Sequence, residues 1–155
     1  MTRVYILLSS FLNLFKTQLK HVYGGFMNYV EYAKMFIGKP YIWGGAGAVG
    51  FDCSGLVIEC LQAFGLLPSG DWTADALSKR LKANGWSEVK DYKEGDIVFF
   101  HNGTKYYHVA MMINGCQYIE AGGGNSKCTN ASNSTGLVRI RPLTWRKPSL
   151  ILRKV

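Results

Sequence analysis

The sequence predicts a single α+β domain, with helices gathered in its first half and strands in its second. Three observations predict it. Apolar residues recur at helical spacing in three early segments, at Val30, Ala33, Phe36 and Ile37, at Leu56, Val57, Cys60, Leu61 and Phe64, and at Ala76, Leu77 and Leu81. Beyond residue 94 the apolar residues come instead in short runs separated by glycine and asparagine turns, the pattern of strands. The chain has 155 residues, 48% of them hydrophobic, which is enough for one core and too little for two.

Residues 1–26 read differently from the rest. Val4 to Phe15 is a short apolar run broken by Ser9, Ser10 and Asn13, too short to span a bilayer comfortably. Arg3 precedes it, but no small-residue cleavage site follows. Three readings stay open: an upstream extension with the true start at Met27, a leader or anchor, and an amphipathic helix. The first follows from Gly24-Gly25, whose codons can form a purine-rich ribosome-binding stretch just before Met27. Inspection of the nucleotide sequence tests it. The domain proper is then 27–155.

A helix is expected from Asn28, with Gly38 as its stop and Pro40 beyond. A loop rich in glycine and aromatics follows, Tyr41-Ile42-Trp43-Gly44-Gly45, and runs through Gly50-Phe51-Asp52 into Cys53. The apolar stripe of the next helix begins there, so Asp52 is its N-cap and Cys53 lies in its first turn. A second helix over 72–83 is capped by Thr73 or Asp71 and closed by Asn84-Gly85. Strands are expected at 97–100, 106–113, 117–121, 137–141 and 150–152, with turns at Glu94-Gly95-Asp96 and Asn114-Gly115. The glycine-rich stretch 122–136 is a long loop, and long loops in small domains are often functional.

The formal net charge is +8, which favours anionic partners such as nucleic acid, anionic lipid or a polyanionic wall without choosing among them. The basic residues thicken at Arg139, Arg141, Arg146, Lys147, Arg153 and Lys154, and a solvated surface explains them as well as a dedicated patch does. The four cysteines, Cys53, Cys60, Cys116 and Cys128, show no metal spacing. Cys60 lies on the buried stripe. Cys116 and Cys128 could pair only in an oxidising compartment.

Unpaired N–H groups and the positive dipole end at a helix head favour a thiolate, so Cys53 is a candidate nucleophile, against the alternative of an inert buried thiol. A nucleophilic cysteine needs a base and a group that orients the base. Of the three histidines, His21 lies in the doubtful N-terminal stretch and His101 in a solvated loop setting, which leaves His108. A two-residue turn at Asn114-Gly115 would put His108 and Glu120 on opposite faces of their hairpin. A three-residue loop, 113–115, with Gly115 left-handed, puts Met112 opposite Cys116 and His108 opposite Glu120. The three-residue loop is expected, with Glu120 orienting His108 and favouring its imidazolium.

Four stretches, taken in order, resemble the NlpC/P60 family of cell-wall cysteine peptidases: Pro40-Tyr41-Ile42-Trp43-Gly44-Gly45, Phe51-Asp52-Cys53-Ser54-Gly55-Leu56-Val57, Glu94-Gly95-Asp96-Ile97-Val98-Phe99-Phe100 and His108-Val109-Ala110. The resemblance covers roughly 28–145. It implies a papain-like α+β fold in which the nucleophile helix packs on a central antiparallel sheet that bears the base. Cys53 matches the family nucleophile, His108 its base and Tyr41 a tyrosine whose hydroxyl lies near the nucleophile. Asp52 and Ser54 match positions that in some members bind the free amine of a stem peptide. The chain departs from the family at Glu120, where histidine, asparagine or glutamine is usual.

The expected function is therefore a peptidoglycan endopeptidase. It would cleave stem peptides at the bond between D-glutamate and a diamino acid through Cys53, His108 and Glu120. The Cys53 backbone N–H and Tyr41 would stabilise the oxyanion. This reading needs no cofactor or metal and names the anionic wall as partner, with no nucleic acid and no stable membrane span. It expects a monomer that is secreted, wall-associated or phage-encoded, since Gly122-Gly123-Gly124 resembles phage-type members. The rivals are an amidase or acyl-transfer enzyme on the same fold and a catalytically silent wall-binding module.

Overall fold

Asn28 opens the first helix in the computed structural model, which describes residues 27–155. The readings of residues 1–26, and His21 with them, lie outside the described residues. The Asn28 side chain accepts from the backbone N–H groups of Val30 and Glu31, and helix α1 runs over Tyr29–Lys34. It is shorter than the apolar pattern over 28–37, because turns carry the chain from Met35 to Gly38. Helix α2, Cys53–Ala63, is capped by Asp52, and α3, Ala74–Ala83, by Thr73, which accepts from Ala76.

The strands are β1 (Ala46–Gly47), β2 (Gly50–Phe51), β3 (Trp86–Glu88), β4 (Ile97–His101), β5 (Tyr106–Met112), β6 (Gln117–Gly122), β7 (Leu137–Pro142) and β8 (Leu150–Lys154). The last six form one antiparallel sheet in the order β3-β8-β4-β5-β6-β7. The first two make a small hairpin in the loop before α2. Neither that hairpin nor β3 was expected from the sequence, since two or three paired residues leave no periodic signal.

Both faces of the sheet are apolar, which is why 97–100 reads as an unbroken run and not as an alternation. Ile97, Phe99, Val109, Met111, Ile119 and Ala121 face the helices and share a core with Leu56, Val57 and Leu61 of α2. Val98, Phe100, Ala110, Met112 and Tyr118 form a second cluster on the far face, covered by Val89, Tyr92 and Leu143.

The β5–β6 turn differs from expectation in one respect. Its loop has three residues, but they are 114–116: Ile113 donates its N–H to the Gln117 carbonyl, and Met112 pairs with Tyr118, not Cys116. Gly115 is not left-handed. The Asn114 side chain closes the turn instead, accepting from the Cys116 N–H and donating to Gln117. The register thus slips by two, an even number, so His108 and Glu120 still share a face. Continued along the strands, it puts Glu120 opposite Ala110 and Gly122 opposite His108.

Helix α2 is seated by Gly55. A side chain there would collide with the Gly45 carbonyl oxygen in the loop ahead of the helix. Gly55→Ala is therefore expected to lower stability by about 1–3 kcal/mol, read as a reduced urea midpoint at unchanged slope.

Candidate active site

The head of α2 is built by one carboxylate. Asp52 Oδ1 accepts from the Gly55 N–H at 2.7 Å and the Ser54 hydroxyl at 3.1 Å, and Oδ2 accepts from the Gly44 N–H at 2.9 Å. The loop from Tyr41 is further pinned by backbone bonds from Tyr41 to Gly136, from Trp43 to Cys128 and from Asp52 to Gly45. Asp52 and Ser54 flank Cys53 and line the same cavity, of about 660 Å³, but the Asp52 carboxylate is already engaged as cap and loop clamp.

Tyr41, Cys53 and His108 share the wall of this cavity. The helix-head donors act on Cys53 in the expected direction but do not prevail. Burial, and then the charge of Asp52, push the thiol up to about 12, while the backbone N–H groups of Val109, Ser54 and Cys53 itself pull it down. Without an imidazolium beside it, Cys53 is a thiol at neutral pH. Tyr41 is 5% exposed. Burial and the neighbouring Cys53, Asp52 and Cys128 hold its hydroxyl well above the usual phenol range, so it stays a neutral donor.

His108 is paired with Phe100 across β4 and β5, next to a bulge between Phe100 and His101 that leaves Tyr107 unpaired. Its Nε2 lies 2.6 Å from Glu120 Oε2. Glu120 is 1% exposed. Burial alone would raise its carboxyl, but the hydrogen bond and charge of His108, with Arg146 and Arg139 behind them, bring it below the ordinary value. Gly122 makes the diagonal contact possible, since a Cβ there would stand 2.7 Å from Glu120 Oε1.

Most of the basic residues near the C-terminus are neither a patch nor a purely solvated surface. Arg153 binds Asp96 at 2.7 and 2.8 Å and reaches Asp91, and Lys154 donates to the Asn84 carbonyl. Arg139 and Arg141 turn toward Glu120. Arg146 lines the cavity, its guanidinium 5.2 Å from the Phe100 ring centroid and 5.8 Å from that of Tyr107. Sequence reasoning missed the site roles of these three arginines. The alternation of β7 puts Arg139 and Arg141 on one face, but only the pairing with β6 says that Glu120 lies there.

His101 is exposed and accepts from the Gly103 N–H, a turn role apart from the cavity. Cys60, Cys116 and Cys128 are free thiols, and Cys116 is the exposed one. Among the described residues no cluster of three His, Cys, Asp or Glu side chains is arranged to hold a metal ion, and no helix is long and apolar enough to cross a membrane. The arrangement joins a thiol at a helix head, an imidazole held by a buried carboxylate, and a neutral phenol. That set can perform nucleophilic acyl transfer.

Residues 38–141 match the NlpC/P60 family. The chain is 40% identical over 93 residues to Protein P54 of Enterococcus faecium, covering 59% of this chain and 17% of that protein. It is 36% identical over 88 residues to a gamma-D-glutamyl-L-lysine dipeptidyl-peptidase of Bacillus cereus, covering 54% of this chain and 25% of that one. It thus spans a quarter or less of the length of these relatives. Among solved structures, the NlpC/p60 domain of the peptidoglycan hydrolase SagA superposes with a TM-score of 0.60 at 30% identity, covering 81% of this chain and 95% of that one. The peptidoglycan hydrolase RipB of Mycobacterium tuberculosis shares the fold, with a TM-score of 0.60 at 23% identity, covering 100% of this chain and 86% of that one.

Proposed function

This chain belongs to the NlpC/P60 family, and from that membership we propose that it is a cysteine peptidase cleaving the stem peptides of peptidoglycan. The observation that carries the reading is that Cys53 and His108 line one cavity, with His108 Nε2 bound to Glu120 at 2.6 Å. Because Glu120 occupies Nε2, Nδ1 is the ring nitrogen left to take the Cys53 proton. Thiol and imidazole become thiolate and imidazolium, and the Glu120 charge stabilises the latter. The sulfur adds to the scissile carbonyl carbon, with the Cys53 N–H and the Tyr41 hydroxyl donating to the oxyanion. The imidazolium then protonates the departing amine as the C–N bond breaks. Water, deprotonated by His108, hydrolyses the thioester and restores the thiol.

The bond between D-glutamate and the diamino acid is the proposed target. It is the bond named for the Bacillus relative. Asp52 and Ser54 place one negative charge and one hydroxyl on the cavity wall, which suits the free amine of a stem peptide. Because its oxygens are engaged, Asp52 acts there through its charge more than through a new hydrogen bond. A synthetic L-alanyl-γ-D-glutamyl-L-lysine peptide tests this reading. Free lysine should appear, and N-acetylation of the alanine should slow its release. Release of the intact tripeptide from its muramyl-linked form, with no free lysine from either substrate, would make the protein an amidase instead. The anionic wall is the proposed partner, and a secreted, wall-associated or phage-borne setting follows from that substrate.

Lys105 and Arg146 line the cavity, and neither side chain makes an ion pair among the described residues. They suit the carboxylates of the stem. Arg146→Ala is expected to raise KM about tenfold, the size of one lost charge-assisted hydrogen bond, with a much smaller change in kcat, measured on the same peptide.

A further inference from the structure

Glu120 uses its two oxygens differently. Oε2 is bound to His108 at 2.6 Å, whereas Oε1 faces Arg139 Nε at 3.6 Å and Arg141 Nε at 3.7 Å. Both Nε atoms are buried and make no hydrogen bond. Arg139 is the direct cross-strand partner of Glu120, and Arg141 that of Tyr118 two residues along, so the alternation of β7 aims both at one carboxylate. On an edge strand such as β7, arginines could have kept their heads fully in water. Leaving two guanidinium nitrogens buried without hydrogen bonds is unfavourable unless a charge offsets it.

We propose that Arg139 and Arg141 are positioning residues: they clamp Oε1, keep Glu120 ionised and leave Oε2 aimed at His108. This rests on the peptidase reading of the Cys53 site. The charged and titratable groups that face Glu120 are His108 from β5, Tyr118 from its own strand, Arg139 and Arg141 from β7, and Arg146 from the segment before β8. The Tyr118 phenol is raised to about 12, first by burial and then by Glu120, so it stays neutral while the enzyme works.

Removing the two cations acts on the acid side of a pH profile. Glu120 then takes up a proton at higher pH, so the acid limb moves up. The expected displacement is about 1 pH unit, the scale for a charge within a few ångströms of a carboxylate. A purely structural role would lower the height of the profile and leave its limbs in place.

The test measures two profiles for the wild type, Arg139→Gln, Arg141→Gln and the double Arg→Lys variant: kcat/KM on peptidoglycan, and the rate of Cys53 alkylation by iodoacetamide. The alkylated Cys53 peptide is followed by mass spectrometry so that exposed Cys116 does not contribute. The acid limb of both profiles should move up in the glutamine variants and return in the lysine variant. An acid limb that stays in place in either folded glutamine variant overturns the clamp. If one variant fails to fold by circular dichroism, the other decides. Alkylation needs no substrate, so it reports on the clamp even where wall hydrolysis is absent. Absent hydrolysis by the wild type instead overturns the peptidase reading.

Discussion

Cys53→Ala is expected to lower kcat/KM on purified peptidoglycan by at least about 10⁴-fold, the scale of losing a covalent nucleophile. Wall binding and thermal stability should change little. Alanine fits the first turn of α2 without disturbing the Asp52 cap, which uses Ser54 and Gly55. The pattern matters more than the size of the loss. Activity removed with binding retained marks a peptidase. Equal binding and no clearing by either protein would mark a wall-binding module. The thiol is pushed up by burial and by Asp52, so the proposed mechanism makes its reactivity depend on His108. His108→Ala should therefore abolish Cys53 alkylation at neutral pH as well as turnover, which a dipole-activated thiolate would not do.

Glu120→Gln is expected to reduce kcat by about 10²–10⁴-fold with a smaller change in KM, because the lost interaction is strongest when His108 carries charge. Glutamine keeps the shape and can still accept from Nε2, but it gives up the negative charge. Glu120→Ala should be worse, since it leaves Nε2 of the buried His108 without its partner. The substitution also has a stability signature. The folded carboxyl lies below its ordinary value, so ionised Glu120 contributes stability above the unfolded value of about 4.5, and that contribution is lost as the pH falls through the folded one. The wild type should lose stability over this acid range, and Glu120→Gln should lose less of it, measured by urea denaturation at several pH values.

The fold was legible where local chemistry decides it. The Cys53 helix, its Asp52 cap, the Thr73 cap and the main strands follow from period and capping residues. The shared face of His108 and Glu120 was legible too, because it depends only on whether the register is odd or even. The register itself was not, since Asn114 closes the turn with its side chain and moves the loop on by one residue. The surroundings of Glu120 were hidden for a related reason. Arg139 stands nineteen positions along the chain, and its approach depends on β6–β7 pairing across a long glycine-rich loop. Gly122 gave no signal of its own, because its part is to leave space. The charge balance at Cys53 was misjudged because the helix head is visible in sequence, whereas the depth of burial is not.

The most direct measurement is mass spectrometry of the soluble products when purified peptidoglycan is digested with the wild type and with Cys53→Ala. The account predicts fragments from the wild type alone, each ending at the D-glutamyl carboxyl or beginning at the free amine of the diamino acid. Intact stem peptides after wild-type digestion, or the same fragments from Cys53→Ala, would contradict it.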